Sequence, residues 1–417
     1  MFLSLYRRLS RSHIASQASW LIASGLIQAI IAFVANLVLV RFIAPEGFGR
    51  FALTQATIGI ALTVVSLRLG TQIIRIRDHA YDEEARRLYF NAILLESIVA
   101  GIIAGCALYV GGLLDWWGAL LLLSVLISHF ADNNKTHFER DMRYKQLSIL
   151  EGGANGSSHV MSIIFVLIGG NVAALYIREF FYGLVYLYWM VKIGAFKWYK
   201  PRLLKLDEWK VIIRNARGVW LDAMLENGFP RFVMLLTGMV GGDRGAGFLL
   251  QAYRLAGVPH QLLAPIAGRM SFNWFSREAD HAKRLKKLQS MIIYMFFPLL
   301  GAALITIFYA ERIIWFLFGE SWVPAGQLLV QLTGMIMFLS FSDVFRVYFI
   351  ASYHTRYSII VKIIQYIVFG LTVVMFMLIN TLSVNEIGLS VSLAYLFMFI
   401  SGISMVWLHG KKLSPER

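Results

Sequence analysis

Among the charged residues inside long apolar stretches of this 417-residue chain, nine draw attention first: Glu96, Arg178, Glu179, Asp222, Glu226, Arg231, Arg254, Asp343 and Arg346. An ionised side chain in hydrocarbon is expensive, so such residues face a bundle interior, a partner or a watery cavity. Arginine suits anionic oxygens, because its planar guanidinium offers paired donors. The alternative is interhelical pairing that only fixes packing, and Asp343 with Arg346, spaced i and i+3, can neutralise each other on one face. Asp222 and Glu226 lie one turn apart and share a face. Either would carry a proton if burial raised its pKa, or else bridge to an arginine on a neighbouring helix. Pro230 deprives the Glu226 carbonyl of its helical N–H partner, which predicts a kink beside Arg231.

The elements that must position these residues follow from hydropathy. Hydrophobic residues make up 58% of the chain, charged residues 15%, and the mean hydropathy is +0.64. Apolar runs of about 20 residues, enough to cross ~30 Å of hydrocarbon, recur throughout. They predict spans near 18–40, 51–70, 89–110, 116–131, 147–168, 172–195, 218–240, 246–269, 289–309, 326–350, 357–380 and 387–408. The expectation is an all-α integral membrane protein with about twelve transmembrane helices. The basic segment before the first run is read as leading into a retained span, since the run lacks a small-residue cleavage site. With the N-terminus inside, the outer loops hold only Arg41, Arg50, Arg244 and Arg312, so the positive-inside rule puts both termini in the cytoplasm. The formal charge of +15 is spread over short loops, which excludes a nucleic-acid partner.

The halves read as weak copies of one another. Glu46-Gly47-Phe48-Gly49 follows the first run and Asp243-Arg244-Gly245-Ala246-Gly247 the seventh, each an acid and a Gly-x-Gly turn before new apolar sequence. One span later come Asp78-His79-Ala80 and Asp280-His281-Ala282. This matching order suggests two pseudo-symmetric six-helix bundles, residues 1–191 and 218–417, an arrangement used by transporters. Between them, residues 192–217 form a basic linker in which Trp209, Ile212, Ile213 and Ala216 recur at helical spacing while Lys205, Lys210 and Arg214 face elsewhere. That pattern predicts a cytoplasmic helix lying in the membrane surface.

Other features carry less. His129, His159 and His260 lack metal-ligand spacing and read as hydrogen-bonded helix residues, and no metal is expected. Trp116, Trp117, Trp315 and Trp322 fall near span ends and read as interfacial anchors, and Lys283 to Lys287 as an inside loop. The single cysteine, Cys106, excludes an internal disulfide, and there is no P-loop sequence. No catalytic constellation stands out, so an enzyme is not expected.

Two segments carry a resemblance. Arg41-Phe42-Ile43-Ala44-Pro45-Glu46-Gly47-Phe48-Gly49-Arg50-Phe51-Ala52 and Phe138-Glu139-Arg140-Asp141-Met142-Arg143-Tyr144-Lys145 resemble the signatures of bacterial polysaccharide flippases, the Wzx-type polysaccharide transporter family of the MOP (MATE-like) exporter superfamily. Gln251-Ala252-Tyr253-Arg254-Leu255 and the stretch from Trp315 to Trp322 are similar to segments of the wider superfamily. The resemblance implies a MATE-like fold in a bacterial inner membrane. It implies alternating-access translocation of an undecaprenyl-diphosphate-linked oligosaccharide for exopolysaccharide, O-antigen (lipopolysaccharide) or capsule synthesis. Arg231, Arg254 and Arg178 are then expected to bind diphosphate or acidic sugar, with Asp222 and Glu226 beside them. Membrane lipids, a polysaccharide polymerase and a chain-length regulator are the expected partners. No cofactor is expected, and the coupling ion stays open between H+ and Na+, because no sodium-site acid constellation is evident. The second reading is a cation-coupled multidrug or metabolite antiporter of the same superfamily.

Overall fold

The computed structural model describes residues 13–76, 81–194, 197–265, 267–268, 271–276, 278, 280–352 and 354–413, and among them every regular element is helical. The Asp78-His79-Ala80 segment lies outside the described residues. In order the helices are α1 (His13–Phe42), α2 (Pro45–Val65), α3 (Leu69–Arg75), α4 (Glu83–Val110), α5 (Trp116–Asn134), α6 (Thr136–Arg140), α7 (Tyr144–Phe165) and α8 (Ala173–Lys192). They continue with α9 (Leu206–Ala256), α10 (Val258–Pro265), α11 (Ser271–Ser276), α12 (His281–Phe318), α13 (Pro324–Gln331), α14 (Thr333–Ala351), α15 (Thr355–Leu378) and α16 (Val384–Leu413). Among the described residues, six helices are long and apolar enough to cross a membrane: α2, α4, and most or all of α12, α14, α15 and α16. This is a multi-pass membrane protein.

The chain forms two compact units, Met1–Ala44 with Thr54–Met224, and Pro45–Leu53 with Leu225–Arg417. In the first, α1 packs on α7, α8 packs on both α5 and α7, and α4 packs on α5. Its core near the ends of these helices gathers Ile73, Phe90, Phe130, Leu147, Tyr186 and Ile212. Ile212 belongs to the helix expected to lie in the membrane surface. Of its apolar face, Ile212 is instead buried in the unit's own core with Trp209 packed against it, Ala216 is buried and Ile213 stays exposed, and the helix runs on without interruption into the seventh span as α9. Amphipathic spacing records that one face is covered, not what covers it.

The second predicted span is discontinuous. α2 ends at Val65, Arg68 takes a left-handed conformation (φ 54), and α3 begins at Leu69. A backbone amide exposed by such a break needs an acceptor, because hydrocarbon offers none. Glu96 on α4 supplies it.

In the second unit α9 stays helical through Pro230, and its one non-helical residue is Gly242 (φ 59). Span eight is likewise divided, ending as α9 at Ala256 and resuming as α10 after Gly257. α15 packs on α16, α14 on α16, and α12 on α13 and α14. Lys283 to Lys287 are not a loop, since they form the first turns of α12, capped by the Asp280 carboxylate on Ala282 N–H at 2.8 Å.

The two Gly-x-Gly segments that match in sequence meet here, and they are helical rather than turns: Pro45–Gly49 opens α2, and Asp243–Gly247 follows the Gly242 break in α9. A Cβ on Gly49 would lie 1.5 Å from the Asp243 carbonyl oxygen, and one on Gly247 would lie 2.0 Å from that of Pro45. Only glycine permits this backbone approach, and Arg244 bridges to Glu46 at 3.4 Å. Beside it Trp322 is 0% exposed, enclosed by Phe48, Phe248 and Phe318 at ring distances of 5.5, 6.1 and 6.2 Å. The reading of Trp322 as an interfacial anchor is therefore corrected: it is buried among aromatic rings of the second unit. Trp116 and Trp315 do stay exposed, and Trp117 packs on Tyr176.

Candidate functional site

The densest set of charges within the spans lies in the second unit, around Glu226. α9 presents this carboxylate, α14 presents Arg346 and Asp343, and α15 presents Lys362. One terminal nitrogen of Arg346 approaches Glu226 Oε1 at 2.9 Å and Oε2 at 2.8 Å, and Lys362 Nζ reaches Oε2 at 3.1 Å. Alongside, His260 on α10 lies 3.7 Å from the Asp343 carboxylate and 3.2 Å from Ser340 Oγ. Two of the four helices that meet here, α9 and α10, carry proline, and α9 is also broken at Gly242, so backbone irregularity and charge coincide.

Exposure separates the members. The Lys362 side chain is 5% exposed, whereas Glu226 and Arg346 are each 37% exposed. A buried ammonium needs its carboxylate, because taking one partner away leaves an uncompensated charge. Lys362 therefore fixes the position of Glu226 from beneath, and Arg346 covers it from the accessible side.

An aromatic wall continues from this cluster. Tyr366, one turn beyond Lys362, donates to the Leu225 carbonyl at 3.0 Å, next to the carbonyl that Pro230 leaves without its helical donor. Phe229 packs edge-on against Tyr366, Phe369 and Tyr395, and Tyr395 O–H lies 3.3 Å from Tyr253 O–H.

The residues expected from sequence are distributed as follows. Glu226 sits at the centre of the cluster. Arg231, half-buried on α9, donates to the Asn227 carbonyl on its own helix at 3.2 Å. Arg254 is half-buried beyond the Gly242 break, beside Tyr253. Arg178 and Asp222 belong to the first unit. Arg178 on α8 pairs with its neighbour Glu179, its Nε lying 3.1 Å from Oε1, and Asp222 is half-buried.

The first unit has its own polar set. Glu96 accepts from Leu67 N–H at the helix break (2.9 Å) and meets His129 Nε2 at 3.1 Å, with its side chain 2% exposed. Gln72 closes the same break by donating to the Leu67 carbonyl at 3.2 Å. Of the three histidines singled out from the sequence, His129 and His260 thus lie against carboxylates. Among the described residues, no group of three His, Cys, Asp or Glu side chains could hold a metal ion.

Lys362 was missed by sequence reasoning. It is the one charge in an apolar run from Tyr357 to Leu378, so the rule that singled out Arg231 applies to it equally. It lies in the first turns of the span predicted over 357–380, close to the span's end, where a lysine draws less attention.

Comparison with known proteins agrees with this architecture. The family model described as polysaccharide biosynthesis protein matches residues 38–327. The fold is similar to an inward-facing multidrug resistance MATE family transporter of the MOP superfamily, with a TM-score of 0.69 and 14% identity over 94% of this chain and 100% of that one. It is similar to the lipid II flippase MurJ in an inward closed conformation, with a TM-score of 0.63 and 11% identity over 96% and 93% of the two chains. A MOP superfamily transporter from Pyrococcus furiosus gives a TM-score of 0.60 and 14% identity over 98% of each. No curated protein matches the sequence.

Proposed function

From the premise that this chain belongs to the polysaccharide biosynthesis protein family, we propose that it is a flippase, moving a lipid-linked oligosaccharide between the leaflets of a bacterial inner membrane by alternating access. Undecaprenyl diphosphate is the carrier we assign, and exopolysaccharide, O-antigen or capsule the product. Such a substrate has a polar head that cannot enter hydrocarbon and a tail that need not leave it. The protein must therefore supply charged, accessible groups at membrane depth, and the observation that carries the reading is the Glu226, Arg346 and Lys362 cluster, half open on one side. The similarity in fold to a lipid II flippase supports the same class of cargo.

The topology we assign is twelve spans in two six-helix bundles, with both termini cytoplasmic. Two helices that fall short of an apolar span do so through their charges: α8 carries Arg178, Glu179 and Lys192, and α9 carries Asp222, Glu226 and Arg231. That is expected where helices line an interior rather than face lipid. In this reading Arg231, Arg254 and Arg178 contact the diphosphate or an acidic sugar, and Glu226, with Asp222 on the same helix, responds by exchanging partners or a proton. A proton or Na+ gradient would then drive the cycle. The chemistry is movement without bond making, so the chain is not an enzyme.

The test uses cells lacking this chain. Lipid-linked repeat units should accumulate on the cytoplasmic leaflet, and wild-type protein should clear them. The triple variant Arg178→Ala/Arg231→Ala/Arg254→Ala, at equal membrane abundance, should not. Clearance by that variant would remove the three arginines from the pathway. Loss of the chain that causes no accumulation but sensitises cells to cationic drugs would replace the flippase reading with the antiporter one.

A further inference from the structure

At one end of the first unit, away from the predicted spans, three connections enclose a cavity of about 270 Å³. Arg86 comes from the first turn of α4, Asn134 and His137 from the junction of α5 and α6, Asp141 and Arg143 from the turn after α6, and Lys197 from the chain beyond α8. Three side chains are cations and one is an acid, so the cavity is net positive. Its volume is below the roughly 300 Å³ at which pockets begin to take drug-sized ligands. It suits a small polar anion.

The cations are arranged to receive one. The Arg86 guanidinium lies 4.7 Å from the Tyr81 ring centre and that of Arg143 lies 5.0 Å from the Phe138 ring centre. A guanidinium stacked in this way keeps its N–H edge for an acceptor. Among the described residues neither arginine has an ion-pair partner, whereas Lys197 is tied at the rim to Glu83 at 2.6 Å. His137 adds a neutral donor. Burial, with Arg86 alongside, pushes its imidazole down to about 4, so it is uncharged at neutral pH. Burial also holds the Tyr81 phenol above its usual range, so it keeps its proton and is assigned as donor to His137 Nδ1. That leaves Nε2–H as the imidazole's donor.

The surroundings place this cavity at headgroup depth. Lys192 sits 4.8 Å from the Trp189 ring, and Trp189 and Trp198 are 41% and 63% exposed. Exposed tryptophans beside lysines mark the membrane interface. We propose that the cavity bounded by Arg86, His137 and Arg143 is a phosphate site, filled in the membrane by the headgroup of an anionic phospholipid. The Asp141 carboxylate on its wall disfavours a highly charged anion and suits a phosphodiester with a single negative charge. The site is separate from the Glu226 cluster, and its occupancy does not depend on the flippase reading.

The experiment takes purified full-length protein in neutral detergent and measures binding by native mass spectrometry and thermal melting. Phosphatidylglycerol, phosphatidylcholine and inorganic phosphate are the probes. The proteins are wild type, Arg86→Gln/Arg143→Gln, and Lys200→Gln as a charge control outside the cavity. Phosphatidylglycerol should bind and raise Tm in wild type and Lys200→Gln, phosphatidylcholine should not, and the double variant should bind at least about tenfold more weakly, since each charged hydrogen bond lost is worth a factor of ten or more. Equal response of the double variant and wild type would overturn the site. Stabilisation by inorganic phosphate alone, lost in the double variant, would overturn the lipid as occupant and assign the cavity to soluble phosphate. Should the double variant fold poorly, Arg143→Lys keeps the charge but loses the fork, and a wild-type lipid count in it would also contradict the proposal.

Discussion

Glu96 in the first unit and Glu226 in the second are both carboxylates set in membrane-spanning helices, and their surroundings give them opposite properties. Glu96 is 2% exposed and spends one oxygen on a backbone amide and the other on a histidine. Glu226 is 37% exposed and faces two cations, one buried and one accessible. The first arrangement closes a gap in the backbone and leaves nothing to exchange. The second holds charge in balance from one side and leaves the other side accessible. An acid in an apolar run can therefore close a backbone gap or stay partly accessible, and its partners decide which.

The sharpest way to break this contrast is at Glu96. Glu96→Leu deprives the Leu67 N–H of its acceptor at the break between α2 and α3 and should cost about 3 kcal/mol, the range for stranding buried polar partners. Glu96→Gln keeps an acceptor oxygen and should cost less than half as much. Thermal melts of the purified variants compare them, and equal losses would mean that the charge, not the hydrogen bond, matters there.

A neutral histidine provides the next largest effect. The folded pKa of His137, pushed down to about 4 from its ordinary 6.5, means that the unfolded chain binds the extra proton first as pH falls. The contribution is therefore full above pH 6.5 and drains as pH falls toward 4, by up to about 3 kcal/mol. A Tm profile between these limits should slope upward with pH in wild type and flatten in His137→Gln. Unchanged slopes would remove His137 from the account.

At Glu226 the expected stability changes are smaller and the transport changes larger. Glu226→Gln and Lys362→Met should each destabilise, and the double variant should recover about 1–2 kcal/mol of the summed loss, since the two groups are in contact. Strict additivity would show that the 3.1 Å contact carries no energy. The smallest effect belongs to Arg202, which pairs at the exposed end of α9 with Glu208 at 2.7 Å and holds that carboxyl below its usual range. Arg202→Gln should cost under about 1 kcal/mol and only where salt is low, and a loss as large as that of Glu96→Leu would contradict the ranking.

Much of this was legible in the chain. Apolar runs located the helices, and the acid and Gly-x-Gly segments at Glu46 and Asp243 were legible as a matching pair, but as turns of a repeat rather than as helical segments whose backbones touch at Gly49. Hydropathy reports how deep a residue lies, however, and not which way it points. The face containing Ile212 was visible, but whether lipid or protein covers it depended on Phe90, Phe130 and Tyr186 arriving from other helices. Trp322 looked like an anchor because its neighbours in sequence end a span, while the rings that enclose it come from α2 and α9. The pairing of Arg346 with Glu226 crosses 120 residues and has no local signature.

The central claim is that accessible charge within the spans carries an anionic lipid-linked head across the membrane. Its most direct measurement reconstitutes the purified protein in liposomes with an undecaprenyl-diphosphate-linked oligosaccharide and follows how much of the sugar becomes accessible from the opposite face. Wild type should equilibrate the substrate between leaflets, and Glu226→Gln and the triple arginine variant should each slow this at least tenfold while remaining folded. Wild-type rates in the folded variants, or no flipping by wild type, would contradict the account.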